Sequence, residues 1–205
     1  MPRTTVVTVT YNSATTIGPM LDSLRDAHRQ GLLDVVVVDN ASRDATLDAL
    51  APYERDGMIR VVPAGGNIGF GRGCSLGASH AATELILFLN PDARLEPEAV
   101  ATLESALDDH PRAAIAAPAI ERPDHTLQPC GLLPSRRTLL LERTPLHRWA
   151  VKAWRPTPAA PPTPVRWVSG AAFMARRQVL ASLGGFDPRF FLYYEESDLF
   201  RRVLR

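Results

Sequence analysis

The stretch "ELILFLNPDARLEP", residues 84–97, runs five apolar residues, Leu85 to Leu89, directly into Asn90, Pro91 and Asp92. Apolar character without alternation suits a strand buried on both faces, and such strands belong to parallel sheets covered by helices on either side. The polar end needs its own reason. Proline presets its backbone angle, and Asn and Asp bond their own neighbouring amides, so Asn90–Pro91–Asp92 is first of all a turn. Whether it is more than a turn depends on what else arrives at the same place.

The flanking sequence repeats the pattern. "TVVTVT" (5–10) is β-branched throughout, and "DVVVVD" (34–39) nearly so. Between them Ile17, Leu21 and Leu24 fall at helical spacing, with Ser13 and Thr15 as caps and Pro19 in the first turn, where it is tolerated. The alternation continues with a helix over about 45–53, a strand over 58–62, a Gly-rich turn and a helix over about 71–82. A helix over 96–110 follows strand 85–89, with Val100, Leu103 and Leu107 on one face and Pro97 at its start. "AAIAAPAI" (113–120) reads as a further strand. This rhythm predicts the α/β class, with a mostly parallel central sheet flanked by helices.

A chain of 205 residues with 45% hydrophobic content can bury one sizeable core, so one domain over 1–205 is expected. With 23 basic against 22 acidic residues the net charge is +1, which supplies no global field to attract nucleic acid. Cys74 and Cys130 stand apart, without the spacing of a disulfide framework or zinc site, as expected in a reducing cytosol. The start, "MPRTTVVTVTYN", enters a strand too soon for a secretory signal, and no stretch reaches the ~18 apolar residues of a membrane span. A soluble or peripheral cytoplasmic protein is expected. Eleven of the 18 prolines lie between Pro111 and Pro164, and "RPTPAAPPTP" (155–164) sustains neither a helix nor a central strand. Residues 111–164 are therefore expected to form a long loop or lid. After it, "VRWVSGAAFMARRQVLASLGGF" (165–186) resumes strand and helix patterning.

In open parallel sheets, ligands lie outside the carboxyl ends of the strands, where the loops of successive βα units meet. The first strand ends in Thr10, Tyr11 and Asn12, and the second in Asp39, Asn40 and Ser42. The third leads to "GGNIGFGRG" (65–73), the fourth to Asn90 and Asp92. Tyr11 can stack on a planar base. Asp39 and Asn40 either form a plain turn or accept bonds from a base or sugar edge. Asn67 can reach base or ribose. Around Gly71, small residues before a helix let an anion approach backbone amides, and Arg72 can add a charge-assisted bond to a phosphate. Asp92 then reads as one carboxylate beside a diphosphate, the way Mg²⁺ or Mn²⁺ is commonly held, with Asn90 as a neutral companion. Near the end, Glu195, Glu196 and Asp198 follow an aromatic run and open a helix. They either complement its dipole or include a general base.

These segments together resemble the inverting family 2 glycosyltransferases with a GT-A fold, in particular their bacterial rhamnosyltransferase-like branch. The resemblance rests on "TYNS", "VVVVDNASRDAT", "GGNIGFGRG", "LILFLNPDARLEP", "WVSGAAFMARR" and "GGFDPRFFLYYEESDLFRR", in that order and over nearly the whole chain. It implies a nucleotide-sugar-binding half over 1–92 and an acceptor-side half over 93–205. The donor, dTDP-rhamnose or a UDP-sugar, would lie across the loops after Thr10, Asp39 and Ala64. Asp92 matches the metal position of the family's DxD element, which reads Asn90–Pro91–Asp92 here and lacks the first carboxylate. The acidic pair of the family matches Glu195 and Glu196, with Glu instead of Asp at the base position, and Trp167, Gly170 and Asp198 fall on the acceptor side. The acceptor implied is a glycan or polyprenol-linked hydroxyl.

One further segment bears on that acceptor. "SRRTLLLERTPLHRWAVKAWR" (135–155) mixes arginines and a lysine with leucines, Trp149 and Trp154. Such a mixture serves either as a packed acceptor lid or as a peripheral contact with an anionic membrane at its inner face. A different functional class also fits these residues: a nucleotide-sugar-binding protein without turnover, or a form that needs a partner. A nucleotidyltransferase would share the phosphate and metal chemistry but calls for a Gly-rich amino-terminal signature that this sequence lacks.

Overall fold

The computed structural model describes residues 1–128, 130–131 and 161–205. In chain order the elements are β1 (Thr4–Thr10), α1 (Ile17–Arg29), β2 (Leu33–Asp39), α2 (Thr46–Arg55), β3 (Arg60–Pro63), α3 (Phe70–Ser79), β4 (Leu85–Leu89), α4 (Ala99–Asp109), β5 (Ile115–Ala116), β6 (Ala172–Arg176), α5 (Arg177–Ser182) and α6 (Glu195–Val203). The strands form one six-stranded sheet in the order β3-β2-β1-β4-β6-β5. β1 to β4 run parallel, and β6 is antiparallel to both β4 and β5.

Successive side chains of a strand point to opposite faces, and the core divides accordingly. Val35 and Val37 of β2, with Leu85 and Leu87 of β4, join Met20, Leu21, Leu24, Leu50, Val100 and Leu103 from α1, α2 and α4. Val36 and Val38, with Ile86 and Phe88, join Cys74, Leu180, Leu199 and Phe200 from α3, α5 and α6. Both faces are therefore covered, which is why β1 and β4 carry no alternation in the sequence. Phe88, Phe173, Phe186 and Phe200 pack together on the second face, with Phe173 edge-on to Phe200 at 5.2 Å between centroids.

Four details depart from the sequence reading. Helix α4 starts at Ala99, so Pro97 lies ahead of it instead of in its first turn. The N-cap of α1 is Thr16 and not Ser13 or Thr15; Ser13 offers only its carbonyl, which accepts the amides of Thr16 and Ile17 at 3.0 Å. Met58 and Ile59 are buried but precede β3, because pairing with β2 begins at Val36↔Arg60. Of "AAIAAPAI" only Ile115 and Ala116 pair, and Pro118, with no N–H to give, follows closely. Most of the Pro-rich stretch, including the basic and aromatic residues 135–155, lies outside the described residues.

Helix α3 lies close on the sheet because it carries glycine where its neighbours approach. A methyl group at Gly77 would overlap Val7 and come within 3.1 Å of Val38. Gly77→Ala is therefore expected to lower stability in urea unfolding by about 1–3 kcal/mol through overpacking. Gly18→Ala in α1, where the new carbon meets only Tyr53 Oη at 3.5 Å, should raise it by a few tenths to about 1 kcal/mol through helix propensity.

Candidate active site

Parallel pairing brings the carboxyl ends of β1, β2 and β3 to one edge, with Thr10 opposite Asp39 and Asp39 opposite Pro63. The ladder runs one step further: the Asn40 amide donates to Thr10 O at 2.8 Å and the Ala64 amide to Asp39 O at 2.9 Å. Beyond it the loops are tied to one another by side chains. Asn12, at a positive φ of 55°, accepts the Arg43 amide on Oδ1 at 2.8 Å, and its own amide donates to Ser42 Oγ at 3.0 Å. Asn40, 3% exposed, accepts the Ile68 amide at 2.9 Å and donates through Nδ2 to Asn67 Oδ1 at 3.0 Å. Asp39, 5% exposed, accepts the Ser42 amide on both oxygens at 3.3 Å, which leaves lone pairs for a further donor.

Seven of the expected donor residues thus meet at one edge, but they differ in what they present. Tyr11 and Asn67 are exposed, Asp39 offers a carboxylate, and Asn12, Asn40 and Ser42 chiefly hold the loops in place. Thr10 is fully buried, so it contributes its backbone and no surface.

The Gly-rich loop serves a neighbour that the sequence did not reveal. Gly69 adopts φ +87°, and any side chain there would collide with the carbonyl of Phe191. That carbonyl accepts the first helical amide of α3, Phe70, at 3.0 Å. A Cβ on Gly71 would stand 3.2 Å from the Cβ atoms of Glu195 and Phe186, and Arg72 Nε donates to Pro188 O at 2.9 Å. Gly71 and Arg72 therefore seat the loop that leads into α6, a role that competes with the expected phosphate contact. The same loop turns sharply through Tyr193 and Tyr194, both left-handed with φ near 69° and 68°. Non-glycine residues seldom hold that conformation without support from their surroundings.

The turn after β4 meets the acidic segment through β6. Asn90 extends the β4–β6 ladder by donating its amide to Ala171 O at 2.8 Å, and the Ala93 amide closes the turn on Asn90 O at 3.1 Å. Asp92 stands exposed on that turn. Asn90 Oδ1 is buried and lacks a hydrogen-bond partner among the described residues. One residue before Ala171, a Cβ on Gly170 would lie 3.5 Å from Glu196 Cγ. The Asn90–Asp92 turn and Glu196 are thereby neighbours in space, although more than a hundred residues separate them in sequence.

The three acids of α6 have three different environments. Glu195 is 4% exposed, and its Oε2 has no partner among the described residues. Burial pushes its carboxyl above the usual glutamate range, Glu196 adds to the rise, and its own backbone amide opposes it. Asp198 is paired with Arg202 Nε at 2.7 Å. Glu196 is half-buried, and its Oε1 accepts from Ser197 Oγ at 3.2 Å. Trp167 Nε1 in turn donates to Ser197 Oγ at 3.0 Å. Of the acceptor-side residues, Trp167 and Gly170 therefore sit against the Glu196 neighbourhood. Ser197 gave no signal in the sequence, because nothing local says where a hydroxyl will point.

The donor set at the β4 turn suits a hard cation. An amide oxygen and a carboxylate are oxygen ligands, and Mg²⁺ typically takes one or two carboxylates and completes its shell with phosphate oxygens and water. No group of three His, Cys, Asp or Glu converges among the described residues. A separate cavity of about 740 Å³, lined by residues including Leu103, Ile115, Ile120 and Phe200, reaches Trp167 but includes neither Asp92 nor Glu196.

Residues 5–184 match the family model described as Glycosyl transferase family 2. The chain belongs to this family. The match takes in every strand and the Asn90–Asp92 turn, and ends before Glu195, so the roles of the α6 acids rest on geometry. Among family 2 relatives, the chain is 31% identical over 216 residues to the N-acetylglucosaminyl-diphospho-decaprenol L-rhamnosyltransferase of Mycobacterium tuberculosis, covering 97% of this chain and 69% of that protein. The fold is similar to that of the mannosyltransferase PcManGT from Pyrobaculum calidifontis, solved in complex with GDP-Man and Mn²⁺. There the TM-score is 0.67 and the identity 22%, over 98% of this chain and 52% of that one. It is also similar to S. aureus TarS 1-349 in complex with UDP, with a TM-score of 0.65 and 20% identity over 99% of this chain and 55% of that one. The chain thus spans about half the length of these solved structures. The six-stranded, mostly parallel sheet between helices is the GT-A architecture.

The buried carboxyl of Glu195 has a consequence for stability. Its raised folded-state value means that the native state binds the proton more tightly than the unfolded chain. The stabilisation is present below the unfolded glutamate range and is lost as pH rises through the folded value. Glu195→Gln should therefore unfold at higher urea than wild type near neutral pH, and the difference should shrink on acidification toward pH 4; urea midpoints across that range measure it.

Proposed function

We propose that this family 2 protein moves a sugar from a nucleoside-diphosphate donor to an acceptor hydroxyl with inversion at the anomeric carbon. The observation that carries the reading is the adjacency of Glu196, through Gly170 and Ala171, to the Asn90–Asp92 turn at the carboxyl edge of the sheet. A half-buried carboxylate stands there beside a place for a diphosphate, and the other two acids of the helix are buried or ion-paired. The donor's base and ribose would lie over Tyr11, Asp39 and Asn67, in loops held by Asn12, Asn40 and Ser42.

In the reaction, Glu196 accepts the proton of the acceptor hydroxyl as its oxygen bonds to the anomeric carbon. The bond from that carbon to the diphosphate breaks on the opposite face, and the nucleoside diphosphate departs with the electron pair. A base at this position typically contributes about 10²–10⁴-fold. Asn90 Oδ1 and the Asp92 carboxylate, oxygen ligands both, would hold Mg²⁺ or Mn²⁺; a protein of similar fold, PcManGT, is solved with Mn²⁺. When bound, the cation supplies positive charge for the departing diphosphate.

The rhamnosyltransferase relative favours dTDP-rhamnose as donor, ahead of a UDP-sugar, and a polyprenol-linked acceptor, in the synthesis of cell-surface polysaccharide. No helix among the described residues is long and apolar enough to cross a membrane. Action on a lipid-linked acceptor would place the protein at the inner face of the membrane. The single neutral substitution in the metal pair, Asn90, favours a second reading, in which the protein binds the donor without turnover.

The test is nucleoside diphosphate release with dTDP-rhamnose and UDP-sugars, with and without a polyprenyl-diphosphate-linked N-acetylglucosamine acceptor. Acceptor-dependent release is expected, and Glu196→Gln should lower it by at least about a hundredfold while donor binding is kept. Asp92→Asn should remove the gain in donor affinity that Mg²⁺ or Mn²⁺ confers. Donor binding with no release under any condition would favour the second reading, and full turnover by Glu196→Gln would move the base elsewhere.

A further inference from the structure

We propose that Ser197 is a positioning residue for Glu196, and that Trp167 sets the direction in which it acts. An indole N–H can only donate, whereas a serine hydroxyl both donates and accepts. With Trp167 Nε1 at 3.0 Å, Ser197 Oγ is the acceptor of that bond, and its own proton is left to be given away. The partner within reach is Glu196 Oε1 at 3.2 Å. Ser197 is 7% exposed, so bulk water competes poorly for either bond. The order Trp167 N–H to Ser197 O–H to Glu196 Oε1 is thus dictated by the donor-only end of the chain.

The contact between Ser197 and Glu196 is not a generic helical one. Adjacent residues on a helix do not face each other, and a helical serine ordinarily turns its hydroxyl to a carbonyl of the preceding turn. Ser197 is the third residue of α6. Trp167, brought in from a segment thirty residues upstream, supplies the reason for the different direction. Trp167 is itself anchored through its backbone: its carbonyl accepts the Gly131 amide at 2.8 Å, and the Arg166 amide donates to Gly131 O at 2.9 Å. On another side, the Gly170 backbone leaves room for the methylenes of Glu196, with a Cβ there 3.5 to 3.8 Å from Cγ, Cβ and Cδ. Glu196 therefore passes beside the Gly170 backbone and is held at Oε1 by Ser197, which leaves Oε2 for the acceptor hydroxyl. A base held in this way reaches its proton without first losing rotamer freedom, and small errors in such placement are costly to rate.

The inference rests on Glu196 being the base, and the experiment separates the two claims. Steady-state kinetics of the full chain with dTDP-rhamnose and the lipid-linked N-acetylglucosamine acceptor would be compared for Ser197→Ala, Ser197→Thr, Trp167→Phe, the Ser197→Ala/Trp167→Phe pair and Glu196→Gln. Thermal unfolding would normalise each rate to folded protein. Ser197→Ala is expected to lower kcat about tenfold with donor KM unchanged, and Ser197→Thr, which keeps the hydroxyl, to recover most of it. Trp167→Phe should cost several-fold alone and nothing further on top of Ser197→Ala, because both changes break one chain. A Ser197→Ala kcat within twofold of wild type would overturn the positioning role. So would a Ser197→Thr variant as slow as Ser197→Ala, or losses that multiply in the pair. Turnover retained by Glu196→Gln would instead overturn the assignment of the base.

Discussion

The antiparallel pairing of β6 with β4 is the contact on which the rest of the molecule depends. Four parallel strands joined by helices already make a sheet whose loops share one edge, but they do not by themselves bring the acidic helix α6 near it. β6 enters beside β4 in the opposite direction, with Leu89 opposite Ala172 and the Asn90 amide on Ala171 O. The residues just before β6 are thereby brought to the place where β4 has just ended. Gly170 lies there against Glu196, and Trp167 reaches Ser197. An ordinary ladder hydrogen bond thus joins the Asn90–Asp92 turn to the segment that packs beside Glu196 and Ser197.

A second constraint acts from the other side of the same helix. Helix α3 approaches the sheet closely through Gly77 and stands against Glu195 through Gly71. This close approach explains how three acids within four residues acquire three chemistries. Glu195 is pressed against α3 and desolvated, Asp198 finds Arg202 one turn on, and Glu196 is left half-buried between them. Desolvation disfavours the charge of Glu195. The left-handed Tyr193 and Tyr194 turn the chain into this arrangement, supported by the bonds from Phe70 and Arg72 to Phe191 and Pro188.

The loops at the carboxyl ends of β1, β2 and β3 are tied to one another. Asn12, Asn40 and Ser42, expected to touch ligand, each also hold a backbone amide or side chain of a neighbouring loop. Polar residues at a loop tip can serve either purpose, and composition cannot separate the two. Tyr11 and Asn67 remain exposed at this edge, and Asp39 is buried there.

The strands and helices were legible in the sequence because apolar periodicity is a local property: Leu85–Leu89 is the strand its five apolar residues announce, and Val100, Leu103 and Leu107 face the core as their spacing requires. Boundaries were less so, as the starts of α4 and β3 show, since caps and strand register depend on what the neighbouring segment offers. That Asn90, Asp92, Glu195, Glu196 and Asp198 were the residues to examine also followed from the sequence, because polar groups at strand and helix ends are conspicuous there. The Asp198–Arg202 pair is an i,i+4 contact within α6, which spacing alone allows. That Glu195 is buried, and that the Ser197 hydroxyl turns to Glu196, was decided only by tertiary structure, because their surroundings are set by Gly71, Trp167 and Gly170, residues far away along the chain that become neighbours on folding.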